Sequence, residues 1–563
     1  MKRLLPMLAV CALLVLPGLA QSAPDTDQRL ASDFWAWRAR TAQYTGDDVT
    51  RIERPFGVDR DWSAAAIAKQ RAQLANFDER WSKLGNPAAP IPEQVDNRLI
   101  GSALARVHWE LDILKRWQRD PYFYIEQTLT PLTEALAVPG PYDEPHSREI
   151  LARLNQIPGI VAQGEQNLSS PPAPFAQLTI DSLADIRGKL QQVASTLPSH
   201  TTIPAAEWQA SANRTATALE SFRVFLQKAL PTLPAQSAIG REHYLWFLRN
   251  VALIPYTPEE LVTRAELEWR RAVTFEALEE NRNRAVPPLA PAATLDEFIA
   301  RNRSAELQVR DFLSRKQILD LPPWLQHYEL RALPPYLVPL TDFAEVDDFT
   351  SASRLNQDGI RYVAAPSSTS SYFWAADAID PRVSIVHEGT AGHYGQLCAS
   401  WRNPDPVRRY YYDSGANEGI GFYAEEMMLQ SGLYDDSPHT REIVYNQARL
   451  RAIRVIVDVK VATGALTPEQ AVAFMHQNVP MAEDDARTEV AEMGEAPGQK
   501  ISYQTGKLQI IQMMQDARLK QGPQFSVRSF HDFVWLNGNV PIALQRWEYF
   551  GTDDEIRKLD PLQ

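Results

Sequence analysis

Cysteine is nearly absent: the chain of 563 residues has two, Cys11 and Cys398. Once an amino-terminal leader is removed, Cys398 stands alone, which excludes an intramolecular disulfide and a cysteine-based metal cluster. A bound metal therefore has to rest on histidines and carboxylates. Positive charge is also in deficit, with 57 Lys and Arg against 70 Asp and Glu and a net charge of -13. Nucleic-acid affinity rests largely on basic side chains neutralising phosphates, so nucleic acid is not an expected partner. The chain has no repeat of fixed period, no long run of alternating strands and no GxSxG nucleophile elbow. Gly419 to Ala424 fits GxGxxA formally, but no strand precedes it, so it is read as chance.

Long hydrophobic runs are missing too, apart from one at the start. Lys2 and Arg3 precede an apolar stretch from Leu4 to Leu19, broken by Pro6 and Pro17 and followed by the small residues Ala20 and Ala23. That order of charge, apolar stretch and small residues is an export signal, cleaved near residue 21 or 24. The stretch is too short and too proline-broken for a membrane span, and no later span is expected. Cys11 lies inside it behind Val10, where a lipid-attachment site calls for a small residue. The mature protein is thus expected in the periplasm or secreted.

What is present is mostly helical. Thr257-Pro258-Glu259-Glu260 places a capping threonine, a proline at the first helical position and a returning glutamate ahead of Leu261, Ala265, Trp269 and Ala272. Thr467-Pro468-Glu469-Gln470 repeats the device just after Gly464, which ends the preceding helix. Proline-rich breaks fall at 171–174, 287–291 and 322–339. The break near 290 divides the expected organisation into a leader (1–23), an amino-terminal helical lobe (24–290) and a catalytic lobe (291–563). Arg361 to Ala365, followed by Ser367 to Trp374, reads as a short strand pair or extended edge beside the chemical motif.

That motif is Val383-Ser384-Ile385-Val386-His387-Glu388-Gly389-Thr390-Ala391-Gly392-His393. Two histidines with an adjacent glutamate suit metal-assisted hydrolysis: imidazoles hold zinc and the carboxylate takes a proton from water. The spacing is not that of HExxH. Histidines six apart sit about 240° apart around a straight helix, so they converge only where the helix breaks, and Gly389 and Gly392 permit a break. A third ligand is offered by Glu418, 25 positions beyond His393 and beside Gly419 and Gly421. Cys398, on the same expected helix as His393, is read as a small buried residue. Arg454 and Asp458, one turn apart in an apolar run, read as a buried ion pair, and Glu483-Asp484-Asp485 as a solvated face.

These residues together resemble the bacterial family catalogued as domain of unknown function 885, regarded as zincin-like metallopeptidases. His387, Glu388, Gly392, His393, Glu418, Gly419, Tyr423 and Glu425 match its motif residues. Downstream, Arg454 to Asp458, Pro497 with Gln499, Ser502-Tyr503, Gly506 and Lys507, and Phe530-His531-Asp532 continue the likeness. Four positions depart from it: Ala391 replaces proline, Tyr394 a second histidine, Ile420-Gly421 Trp-Ala, and Ala462 a histidine. The resemblance implies a large, mainly α helical zincin-like fold with a short β-sheet edge beside a metal cleft. It implies zinc on His387, His393 and Glu418, Glu388 as general base, Tyr503 as donor to an oxyanion, and a peptide substrate, with short peptides favoured. The departures leave a second expectation open, a degenerate zincin that binds peptides or a partner without turnover.

Overall fold

Two of the helix starts are built as their sequences dictate. In the computed structural model, which describes residues 26–45, 52–344, 346–367 and 370–560, the Thr257 hydroxyl accepts from the Glu260 amide while Glu260 accepts from the Thr257 amide. The same reciprocal bonds join Thr467 and Gln470. They start the helices Pro258–Asn283 and Pro468–Asn478, and Gly464, at φ 81°, closes the Pro438–Thr463 helix between them. The export signal lies outside the described residues. Among those described, no helix is long and apolar enough to cross a membrane.

The architecture is mainly helical with one small sheet. Helices of the first half pack around Phe34, Leu99, Tyr124 and Trp208, and the chain's end returns to this core through Ala543, Leu544, Trp547 and Leu559. A second core gathers Val383, Val386, Tyr394, Ile420, Ile510, Met513 and Phe530 around the motif helices. Two helices are hidden almost all round, Pro438–Thr463 in its second half and Ser414–Ser431 nearly throughout. They form the scaffold on which the polar residues of the next section are held.

Ser414–Ser431 lies against Ser502–Gln521 with backbone touching backbone. A Cβ on Gly506 would stand 1.9 Å from the Gly415 carbonyl oxygen, and one on Gly419 would stand 2.6 Å from the Gly506 Cα. No side chain fits between these helices, so both positions need glycine. On another side of Ser414–Ser431, Gly421 faces the His387 ring, where a Cβ would meet it at 3.0 Å. Small residues beside Glu418 thus bring its carboxylate up to the motif.

The sheet has the order β1-β3-β2, with β1 Tyr328–Ala332 parallel to β3 Gly359–Val363 and β2 Asp347–Asp348 antiparallel to it. The expected edge at Arg361 is therefore the central strand, flanked on both sides. The second half of the expected strand pair is also corrected, because Tyr372–Ile379 is a helix. Its three aromatics point in three directions. Tyr372 donates to the Asn446 carbonyl, Phe373 lies under Arg451 and Arg454, and Trp374 lies under Arg361. Strand alternation allows two directions only.

Candidate metal centre

The motif folds as two short helices meeting at an elbow. Arg382–Glu388 ends at Gly389, and His393–Trp401 begins directly after Gly392. The break expected from the two glycines is present, and it brings the histidine ring centroids to 4.6 Å of each other. The turn is tight enough that a Cβ on Gly392 would stand 1.7 Å from the His387 carbonyl oxygen.

Glu418 enters from the neighbouring helix. Its Oε2 lies 3.0 Å from His393 Nε2 and 3.3 Å from His387 Nε2. Ligand atoms about 2.0 Å from a tetrahedral cation stand about 3.3 Å from one another, so this triangle of buried nitrogen and oxygen donors fits a divalent metal. Glu388 is set slightly apart. Its Oε2 is 4.0 Å from His393 Nε2, and its side chain is 23% exposed against 5%, 7% and 11% for His387, His393 and Glu418. One choice of atoms from His387, Glu388 and His393 also falls within 4.8 Å. The shorter distances favour Glu418 as the third ligand and leave Glu388 facing the open side.

The charges around the site are arranged to suit these roles. Burial resists ionisation of Glu388, but His393 and Arg361, whose Nη1 is 3.6 Å away, hold its pKa below the ordinary value. Burial likewise resists ionisation of Glu418, and the two histidines outweigh it to hold the carboxyl well below the usual range. His387 is pushed up to about 9: burial opposes its charge, and Glu418 and Glu425 more than compensate. A cation held by the triangle would take the place of the proton on His387.

Glu425, one of the residues that match the family motif, lies behind His387. Its Oε1 is 2.7 Å from His387 Nδ1, the ring nitrogen facing away from Glu418. Arg451 Nη2 holds the same oxygen at 2.9 Å, and both residues are buried. Arg451 in turn lies over the rings of Phe373, Phe422 and Tyr503. The signal for Glu425 was available: it follows Glu418 by seven residues, two turns along one helix face.

Tyr503 lies at the site, its ring stacked on His387 with centroids 6.0 Å apart. Burial, and then Glu418, raise its pKa, so the hydroxyl keeps its proton and can donate it. Arg454 and Asp458 are not a pair, which corrects that expectation. Arg454 forks onto Glu489 through Nε at 2.7 Å and Nη2 at 2.5 Å. Asp458 accepts from the Tyr244 hydroxyl and from the amides of Gly498 and Lys500. Each meets a different neighbour because the helix is packed on all sides. By accepting from the Gly498 and Lys500 amides, the Asp458 carboxylate pins the loop that carries Gln499, near Glu418, and leads to Tyr503.

The four departures leave the donor triangle whole. Tyr394 turns away from it to pack on Tyr328, Ile420 is fully buried, and the Ala391 carbonyl accepts from Trp535. The Ala462 carbonyl accepts from the amides of Ile239 and Gly240. Cys398 is buried beside Thr350, as a small core residue.

Comparison with known proteins places this arrangement in context. The profile of the family described as bacterial protein of unknown function (DUF885) matches residues 42–547. No curated protein shows significant similarity to the chain. Solved structures with the same fold include the following two. A "putative lipoprotein of unknown function" from Shewanella oneidensis superposes with a TM-score of 0.69 at 18% identity, over 93% of this chain and 99% of that one. A "putative lipoprotein" from Colwellia psychrerythraea gives 0.72 at 16% identity, over 95% and 98%.

Proposed function

We propose that this chain, which belongs to the bacterial family of unknown function DUF885, is an exported zinc-dependent hydrolase that cleaves peptide bonds, those of short peptides first. The observation that carries the reading is the division of labour among four side chains. His387, His393 and Glu418 converge through buried donor atoms 3.0 and 3.3 Å apart, while Glu388 stands outside the triangle on the accessible side. Two histidines and a glutamate with an open fourth position form the donor set of zinc peptidases, and this supports the substrate class. Zinc, when bound, supplies Lewis acidity that lowers the pKa of water and polarises a carbonyl.

The chain's own residues do the rest. Glu388, held ionised by Arg361, accepts the proton of the attacking water at a carboxylate oxygen and later delivers it to the leaving amine. Tyr503, still protonated, donates its hydroxyl hydrogen to the oxygen that gains charge. Glu425 accepts from His387 Nδ1 and fixes which ring nitrogen faces Glu418, and Arg451, 2.9 Å from the same oxygen, holds that carboxylate in place.

The purified mature protein is expected to hold about one zinc per chain and to cleave a mixed peptide library, with cleavage abolished by a chelator and restored by zinc. It is expected in the periplasmic or secreted fraction, beginning near residue 21 or 24, in keeping with its leader; the description of two structural neighbours each as a "putative lipoprotein" also points to export. Zinc bound without turnover of any peptide would favour the binding-protein alternative; no zinc would remove the hydrolase reading and leave the binding protein, which need hold no metal. Glu425→Gln is expected to weaken zinc affinity by roughly 10-fold to 100-fold, the scale for outer partners of metal-bound histidines. Competition with a chromogenic chelator measures it, and unchanged affinity would show that His387 needs no help from Glu425.

A further inference from the structure

Away from the metal centre, three arginines meet around one tyrosine. The guanidinium carbons of Arg54 and Arg60 lie 3.9 and 4.7 Å from the centre of the Tyr44 ring. Arg153 joins them in lining a recess of about 20 Å³, in which Glu149 is the one carboxylate among the lining residues. Glu149 is already engaged, with Arg153 Nε at 3.0 Å and the Gly57 amide at 2.8 Å. Arg54 and Arg60 both donate to the Ala42 carbonyl at 2.6 Å, and Arg54 also reaches the Gln43 carbonyl at 3.3 Å. Neither has a carboxylate partner among the described residues. Arg54 Nε is buried without any hydrogen bond.

This is an expensive arrangement for a merely structural cluster. Charges withdrawn from water are normally paired, and these three half-buried guanidiniums face only Glu149 and, through charge, Glu134, which leaves like charges facing one another. Burial, and then Arg54, push the pKa of Arg60 down to about 9. A planar fork with unused donors is the group best suited to carboxylate and phosphate oxygens.

The recess adjoins a larger cavity, since Tyr44, Arg54, Glu149 and Arg153 line both. That cavity encloses about 340 Å³, within the usual range for small-molecule sites. Phe56, Ile150, Phe349 and Trp401 give it apolar wall, and of its five carboxylates Asp348 bonds Arg354, Asp347 pairs with Arg361, Glu53 takes the Ser353 amide, Glu149 holds Arg153, and Glu134 acts on Arg60 and Arg153 through charge. The recess has room for an oxyanion group and the cavity for the body attached to it.

We propose that the Tyr44–Arg54–Arg60–Arg153 recess is a second ligand site, taking the carboxylate or phosphate group of a small organic molecule whose body fills the adjoining cavity. The site stands independently of the metal reading. Its ligand is held by charge-assisted hydrogen bonds from Arg54 and Arg60, with Arg153 contributing charge.

Isothermal titration of the full mature protein with inorganic phosphate, and separately with acetate, tests it at a fixed ionic strength of about 50 mM, where screening is modest. Saturable binding of one anion per chain is expected for at least one probe, and which probe binds more tightly identifies the group. Arg60→Gln is expected to weaken that binding at least about tenfold, the scale of a lost charge-assisted hydrogen bond. Arg315→Gln, which removes an exposed charge elsewhere, should leave it unchanged. Anion binding at the metal centre would not respond to Arg60, so the variant separates the two sites. If Arg60→Gln does not fold, Arg60→Lys keeps the charge and loses the fork, and at least about a threefold loss is then expected. Failure of both anions to bind the wild type, or unchanged affinity in the Arg60 variant that folds, would overturn the proposal.

Discussion

Glu388→Gln is expected to keep zinc and thermal stability while losing peptide hydrolysis by at least about two orders of magnitude, the usual scale for removing general acid-base assistance. The amide has the shape of the carboxylate and cannot take a proton. Metal content should survive because Glu388 stands 4.0 Å from His393 Nε2, outside the closer triangle made by Glu418. Glu418→Gln should give the converse, a loss of zinc that brings turnover down with it, since an amide is a poor substitute for a ligating carboxylate. The two variants answer a question the geometry raises, because atoms of His387, Glu388 and His393 also gather within 4.8 Å. Metal analysis and library turnover on both decide it. If Glu388→Gln strips the zinc and Glu418→Gln keeps it, the two glutamates have exchanged roles and Glu388 is not the base.

The parts of this site that were legible in the sequence are those carried by local pattern. The two capping boxes are four-residue signals, and both start helices where they stand. The elbow was readable because six-residue spacing and two glycines leave few ways for His387 and His393 to converge. Glu418 stood out through the glycines beside it, whose meaning is the close approach to Gly506 and to the His387 ring. What escaped depends on partners far along the chain. Arg454 and Asp458 look like a pair because they are one turn apart, yet Glu489 is 35 residues away from one and Tyr244 is 214 from the other. No helical periodicity reports such a partner. Tyr372-Phe373-Trp374 has the composition of a strand and folds as a helix because three separate surfaces, at Asn446, Arg451 and Arg361, take up its rings. The central position of β3 was hidden for the same reason, as β1 pairs with it from 31 residues upstream and β2 from 12 and 14.

The elbow itself can be tested without touching any ligand. Gly392→Ala adds one methyl group, and its carbon would stand 1.7 Å from the His387 carbonyl oxygen and 2.8 Å from that of Val386. Both neighbours are backbone, so no side chain can swing aside to make room. The chain has to open the turn by more than an ångström, which carries His387 and His393 apart while leaving both in the sequence. A ligand constellation tolerates displacements of only about 0.5 Å. Zinc affinity is therefore expected to fall by more than the roughly 100-fold that marks the upper range for losing an outer partner. Turnover should vanish with it, and the melting temperature should drop, because the elbow sits in the core with Val383, Val386 and Tyr394. Gly159→Ala is the matched control: it is an exposed helical position where an added Cβ meets nothing within 4 Å. There the same chemical change should be neutral or stabilise by about 0.5–1 kcal/mol, as alanine outranks glycine inside helices. Zinc titration and thermal unfolding of the two variants compare them directly. A Gly392→Ala protein that binds zinc as tightly as the wild type would mean that the two histidines do not depend on this turn, and the site would then have to be built from a different set of ligands.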